Sequence, residues 1–449
     1  MKSLAAVLCS LVLLTGCASH TITARSVFAH EEFLAGDAIN GRGSGTRDEW
    51  IAASYIASQL RRWGLEPLGD DGGFVQAVEL ARTQVSAPPV LTAQGLRLTH
   101  AKDMIVQGLT ALRISAPLVK YQRGAAVAAG AVVLLPDGAG ADAQAATQNA
   151  AIVLMIENAQ SRSRWDVQGA RALSLPARIV VLPAQPAGPP RPTRITLDKS
   201  SHAAITALAD GTVVSLEAAG TEVKGHTWNA LGQLKGSDAA LAGSVVLLTA
   251  HLDHLGGNGP GADPIFNGAD DDASGSTAVL ALAEALAKGK RPKRTLMFAW
   301  FGSEEAGGYG ARYFVERPPV PLDRIAANLE FEMIGRADKA VAAHTLWLTG
   351  YERSNLGPEL ARRGARIVAD PHPEQNFFER SDNITLARKG VVAQTVSSYG
   401  LHTDYHQVSD DVAHLDVAHM TEAIQSMLAP VRWLANSRFT PAWLPGKRP

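Results

Sequence analysis

The chain has 449 residues but only two cysteines, Cys9 and Cys17, both near its start. An internal disulfide framework in an exported product is therefore excluded. Clusters of lysine or arginine are also missing: 42 basic residues stand against 43 acidic ones, a formal charge of −1. That balance lacks the electrostatic footprint of a nucleic-acid binder, and no nucleic-acid partner is expected. Beyond residues 4–14 there is no apolar run long enough to suggest a membrane span. What is there is the composition of a folded protein too long for one ordinary domain.

The N-terminus supplies the first positive signal. Lys2 precedes a short apolar stretch over residues 4–14, then Leu14-Thr15-Gly16-Cys17. The stretch is too short for a permanent spanning helix and reads as a signal h-region. The four residues that follow resemble the lipobox of bacterial lipoproteins, which implies cleavage before Cys17 and its diacylation; the alternative is an ordinary secretory signal with a chance cysteine. Cys9 falls in the removed segment, so a thiol kept solely at the lipidation point fits an anchor. The expected location is the bacterial cell envelope, at the outer membrane facing the periplasm, with membrane contact through the lipid alone.

Further along, the chain divides by character. Residues 1–17 are the signal and lipobox, and residues 18–80 read as a helix, a Gly-rich loop over 40–47 and an amphipathic helix over 48–63 stopped at Gly64. Residues 81–225 are rich in Ala, Gly and Pro, with β-type runs at 131–135, 152–156 and 178–182 and a Pro-rich connector at 183–192. That stretch holds no convincing cluster of His, Asp and Glu and reads as an inserted β-rich accessory domain. From 226 to 437, apolar runs at 244–250, 295–301, 327–334, 345–348 and 391–396 predict strands covered on both faces. Helical patterns at 275–288, 311–316, 356–364 and 416–436, the last interrupted by Pro430, lie between or after them; residues 438–449 are a tail. The fold class is α/β, in which ligands collect at the carboxyl ends of strands.

Chemistry-bearing residues fall at those ends. His251-Leu252-Asp253-His254 follows the run ending at Ala250, placing an imidazole where it can reach a metal, with Asp253 to fix its tautomer. Asn267 opens NGADDDASG, whose three adjacent carboxylates repel one another unless a cation or a helix N-terminus compensates them. Glu304 and Glu305 close the run TLMFAWFGSEE and point different ways, so one can ligate while the other serves as general base. Glu330 and Glu332 share one face of an otherwise apolar strand, costly without a cation. His402-Thr403-Asp404-Tyr405-His406 adds a histidine ligand and a phenol able to donate to a developing oxyanion. The order His, Asp, Glu, Glu, His suffices for two zinc ions sharing one carboxylate.

The motifs AHLDHLG, GADDDASG, GSEEAG, EMIGR and DYHQVSD, with GRGSGT and ASYIASQL before them, resemble the zinc aminopeptidase family that also embraces glutamate carboxypeptidases, glutaminyl cyclases and transferrin receptors. The resemblance covers roughly residues 28–80 and 227–435. It implies a three-layer α/β/α fold with a mixed, mostly parallel sheet, two zinc ions, and peptide substrates shortened from the amino end. One zinc would be held by His251, Asp271 and Glu332 and the other by Asp271, Glu305 and His406. Glu304 would be the general base, Asp253 the aspartate behind His251, Tyr405 the tyrosine that meets the transition state, and Arg380 a substrate-side arginine. The insert resembles, more faintly, a protease-associated domain. Two positions depart from the pattern: Glu332 stands where relatives carry Asp, with Glu330 as its competitor, and Asn383 where they commonly carry His, a change expected in the substrate pocket. A single-zinc glutaminyl cyclase and a non-catalytic envelope binding lipoprotein are the rival readings; the retained ligands speak against the second.

Overall fold

The computed structural model describes residues 21–174, 176–181, 192–257, 259 and 261–449; the N-terminal apolar stretch, Cys17 and most of the Pro-rich connector lie outside the described residues. Two sheets organise them. The larger, of ten strands, runs in the order Ile367–Ala369, Leu346–Leu348, Ala393–Ser397, Ile325–Phe331, Val245–His251, Thr295–Phe301, Gly220–Leu234, Val75–Val85 and Pro176–Val181, with Glu66–Pro67 pairing the long strand Gly220–Leu234. Its four inner strands, Thr295–Phe301, Val245–His251, Ile325–Phe331 and Ala393–Ser397, are mutually parallel, whereas Gly220–Leu234 and Val75–Val85 add antiparallel edges. The sheet is thus mixed, parallel where the chemistry lies.

The continuous apolar runs are explained by burial on both sides. Val246, Leu248, Ala250, Phe298 and Trp300 face one core, while Val245, Leu247, Met297, Ala299 and Phe301 face another. The first is closed by helices Ala24–Leu34, Arg47–Arg62, Gly275–Ala287 and Val417–Asn436. Gly275–Ala287 reads GSTAVLALAEALA and is buried almost all round, as an apolar helix without a polar face must be. The second core is closed by Tyr309–Glu316 and Asn383–Arg388. Each leucine buried in these layers stabilises the fold by roughly 1.5–3 kcal/mol. Helix Val417–Asn436 continues through Pro430 as one element. Among the described residues no helix is long and apolar enough to cross a membrane.

The second sheet, of eight strands, is drawn wholly from residues between Val90 and Glu217, in the order Leu96–Thr99, Val90–Ala93, Val213–Glu217, Arg113–Lys120, Val132–Leu134, Ile152–Ile156, Thr193–Leu197 and Met104–Gln107. It has its own core around Leu91, Leu118, Ile152, Leu154, Ile195 and Val214. The strands Val75–Val85 and Gly220–Leu234 run through positions 81 and 225 and carry the chain into and out of this sheet while remaining paired in the larger one.

One expected strand is shorter than its apolar run. Residues 327–334 suggest a single strand, but it ends at Phe331, and Met333 adopts φ +51. The turn aims Glu332 away from the sheet, a departure that periodicity does not encode.

Candidate metal centre

The site forms where the parallel strands end. His251 is the last residue of its strand, and Phe301 and Phe331 end the two flanking ones, so the loops with Glu304, Glu305 and Glu332 emerge side by side. The Asp270–Asp272 segment leads into helix Gly275–Ala287, and His406 reaches Asp271 and Glu305 from its own loop. Left-handed backbone at Ser303, Met333 and His406, with φ +53, +51 and +56, marks the loops that aim these side chains. Non-glycine residues hold such a conformation only when their surroundings fix it, and they concentrate at functional sites.

The three adjacent aspartates divide the labour. Asp271 faces the centre, with Oδ1 3.2 Å from His251 Nε2 and Oδ2 3.0 Å from His406 Nε2. Asp272 works on the frame: it accepts from the backbone N–H groups of His251 (3.2 Å), Gly275 (3.0 Å) and Met333 (3.1 Å). Asp270 accepts from Gly335 N at 2.7 Å and lies 2.8 Å from His402 Nε2, which keeps His402 out of the metal site. Asp410 completes the clamp, accepting from the N–H groups of Asp270 (3.0 Å) and Asp271 (3.1 Å).

Two groups of side chains bring ligand atoms within 4.8 Å of one another: His251, Asp271 and Glu332, and His254, Asp271 and Glu305. His406 stands outside that second group but touches two of its members, its Nε2 2.8 Å from Glu305 Oε1 and 3.0 Å from Asp271 Oδ2. Glu332, not Glu330, thus reaches the centre. Glu330 is buried beneath it, taking the N–H of Asn383 and lying 3.4 Å from Thr395 Oγ1. His254 is the residue the motif reading passed over; the only sequence signal for it was its place as the second histidine of H-x-D-H.

Asp253 works differently from the expectation. His251 Nδ1 meets the backbone carbonyl of Asp253 at 3.2 Å, and the nearer carboxylate oxygen is 3.8 Å away. The carboxylate instead accepts from Glu304 N (2.9 Å), Glu305 N (3.3 Å) and Ser44 Oγ, fixing the glutamate loop. Glu49, buried, ties the same loop to the Gly-rich turn through Gly45 N (2.9 Å), Thr227 Oγ1 (2.7 Å) and Ser303 N (2.8 Å). A Cβ at Gly302 would meet Glu49 Oε1 at 2.6 Å, so glycine is required for this close approach.

The electrostatics fit a cationic occupant. Burial pushes Glu304 well above the usual carboxylate range, with Asp382 and Glu305 adding to the rise. Burial raises Glu332, and Asp271 adds to it. Burial and Glu305 also act upward on Asp271, but the imidazoles of His251 and His406 beside it outweigh them and hold it below its ordinary value. Burial lowers His254, favouring the neutral imidazole that ligates. His251 Nε2, both ring nitrogens of His254 and Asp271 Oδ2 are buried without a completed hydrogen bond. Carboxylates and imidazoles packed this way are costly unless a cation compensates them, so the donor set fits zinc.

Beside the centre lies a cleft lined by Glu332, Trp347, Phe377, Arg380, Tyr399 and Tyr405 among others. Tyr405 stacks on His406 with ring centres 3.8 Å apart, and Arg380 lies over Phe377 at 4.8 Å. Asn383, expected in this pocket, instead donates to the carbonyl of Phe378 at 3.2 Å and does not line the cleft; its place at the start of a buried helix turns it into the backbone.

Residues 229–431 match the family model "Peptidase family M28". The matched segment holds every residue of both ligand groups. An aminopeptidase of Pseudomonas aeruginosa (strain UCBPP-PA14) is 36% identical over 113 residues, 25% of this chain and 19% of that protein. Aminopeptidase YwaD of Bacillus subtilis (strain 168) is 25% identical over 194 residues, 42% of this chain and 40% of that protein. The chain thus spans about a fifth of the length of the first relative and two fifths of the second. Among solved structures, the aminopeptidase from Aneurinibacillus sp. strain AM-1 superposes with a TM-score of 0.61 at 17% identity, covering 92% of this chain and 94% of that one. The zinc aminopeptidase BSAP from Bacillus subtilis gives 0.60 at 20% identity, covering 93% and 97%. These structures share the fold, insert included.

Proposed function

We propose that the protein is a zinc-dependent aminopeptidase that works with two zinc ions, one held by His251, Asp271 and Glu332 and the other by Asp271, Glu305 and His406. The observation that carries this reading is one buried carboxylate, Asp271, shared by two ligand groups at strand ends beside Glu304. The names of the relatives support the amino-terminal direction.

Two zinc ions bound there would polarise the scissile carbonyl and ease deprotonation of water. Glu304 takes the proton of the attacking water and returns it to the leaving amine. Its position is set by Asp253 through the N–H groups of the glutamate loop. Tyr405 offers its phenol to the developing oxyanion from the cleft wall, and burial keeps that phenol protonated. Arg380 lies on the substrate side of the same cleft. The test is a panel of aminoacyl-chromogenic and N-blocked peptides offered to zinc-replete protein. Cleavage of free-amine substrates is expected, and activity confined to blocked ones overturns the aminopeptidase assignment.

The same proposal places the enzyme in the cell envelope, acting on peptides and held by a lipid on Cys17. It rests on the apolar stretch and lipobox-like residues at the N-terminus. Cys17→Ser is expected to abolish acylation and move the protein from the membrane to the soluble fraction; unchanged fractionation refutes it.

A further inference from the structure

Resting on the di-metal reading, we propose that His254 is a direct ligand of the second ion, which is then held by four protein side chains, His254, Asp271, Glu305 and His406. The other ion keeps three, His251, Asp271 and Glu332. The two sites are therefore unequal: the second is closed by protein, and the first retains the open position.

The geometry supports the fourth ligand. Zinc bonds of 2.0–2.2 Å in a tetrahedron set neighbouring ligand atoms roughly 3.3–3.6 Å apart. His254 Nδ1 lies 3.1 Å from Glu305 Oε1 and 3.9 Å from Asp271 Oδ2, and His406 Nε2 lies 2.8 and 3.0 Å from the same two oxygens. Those four spacings bracket the expected edge. The two imidazoles approach from different directions, with ring centres 5.7 Å apart at 60°.

A buried histidine is more often a satisfied core residue, and here the hydrogen bonding argues otherwise. The side chain is 1% exposed, yet neither ring nitrogen completes a hydrogen bond; the contact with Glu305 is close but not aligned as one. A core histidine would have found a donor or acceptor, because leaving such a nitrogen dry and unmatched costs on the order of 1–3 kcal/mol.

The frame around the ring is built to hold it. His254 N donates to the carbonyl of Arg42 at 3.0 Å. The buried guanidinium of Arg42 donates to the carbonyls of Leu252 (3.0 Å), Asn267 (2.7 Å) and Gly268 (2.9 Å), locking the histidine loop to the aspartate loop. Gly268 adopts φ +60, and a Cβ there would fall 2.4 Å from His254 Cγ, so the glycine leaves the ring its space.

The experiment uses the full chain loaded with zinc and counts histidines at the metal by X-ray absorption, beside a chelator titration of wild type and His254→Gln. Three histidines shared by two ions are expected in the wild type and two in the variant. The more tightly held ion should lose at least about tenfold in affinity in the variant, since even indirect partners of a metal are worth that much. Two ions with only two histidines in the wild type overturn the inference and leave the peptidase reading intact. A chain that takes up no zinc refutes both. If the variant does not fold, the wild-type count decides.

Discussion

The two sheets bury polar groups in opposite ways. Among the described residues between Val90 and Glu217, the buried polar side chains are His100 and the hydroxyl residues Thr147, Thr193, Thr196 and Ser201, with no buried carboxylate or guanidinium. Around the carboxyl ends of the larger sheet, Glu49, Asp253, Asp270, Asp271, Asp272, Glu330, Asp382 and Asp410 are all buried. A small mixed sheet closes its core on Leu, Ile and Val and needs nothing else. Carboxylates in such number are expensive to desolvate, and they accumulate only where hydrogen-bonded loops and cations repay them. The difference separates a part of the chain that is folded for packing from one whose folding is tied to chemistry.

The sharpest way to test that separation is Glu304→Gln. Turnover should fall by about 10²–10⁴-fold while zinc content stays at the wild-type level, because the role proposed for the side chain is to move a proton and not to hold metal. Full activity, or zinc lost with the activity, breaks the assignment.

Chelation comes next. Removing the ions should lower the melting temperature, with a loss of about 4 kcal/mol where zinc stands at a thousand times its Kd. Hydrogen exchange should speed up in the loops around His251, Asp271 and His406, and the strands Val132–Leu134 and Ile152–Ile156 should keep their protection. Equal loosening of both sheets would erase the contrast.

Leu154→Ala probes the other side. Leu154 is fully buried in the core of the eight-stranded sheet, and truncation should cost about 2–5 kcal/mol in a denaturant melt. Zinc content and kcat per folded molecule should not change.

The smallest effect concerns Glu31, buried beneath the aspartate loop. Burial pushes its carboxyl up to about 8. Since the folded value exceeds the unfolded one near 4.5, its contribution is fully present below about pH 4.5 and is lost as pH rises toward 8. Glu31→Gln should flatten the decline of stability between those limits, read as Tm against pH; an unchanged slope refutes it.

Much of this was legible before any fold was known. The strand over 295–301 matches its apolar run residue for residue, because a strand buried on both faces needs no pattern beyond continuous hydrophobicity. The long strands Val75–Val85 and Gly220–Leu234 were not, since their partly exposed, polar alternation resembles that of loops. At the site, His251, Asp271, Glu305 and His406 could be named as candidates because each stands at a strand end or in a motif of matching residues. Glu332 stood unresolved against Glu330, the role of Asp253 lay in its backbone carbonyl and its grip on the glutamate loop, and His254 was passed over.

By itself the sequence determined which side chains were available, and where along the chain the buried strands would deliver them. Only the tertiary structure decided which of three consecutive aspartates faces inward, which of two glutamates reaches the centre, and how near His254 comes to Glu305. Period-two and period-3.6 patterns encode burial, whereas these choices depend on loop backbones held left-handed at Ser303, Met333 and His406 by contacts far apart in the chain.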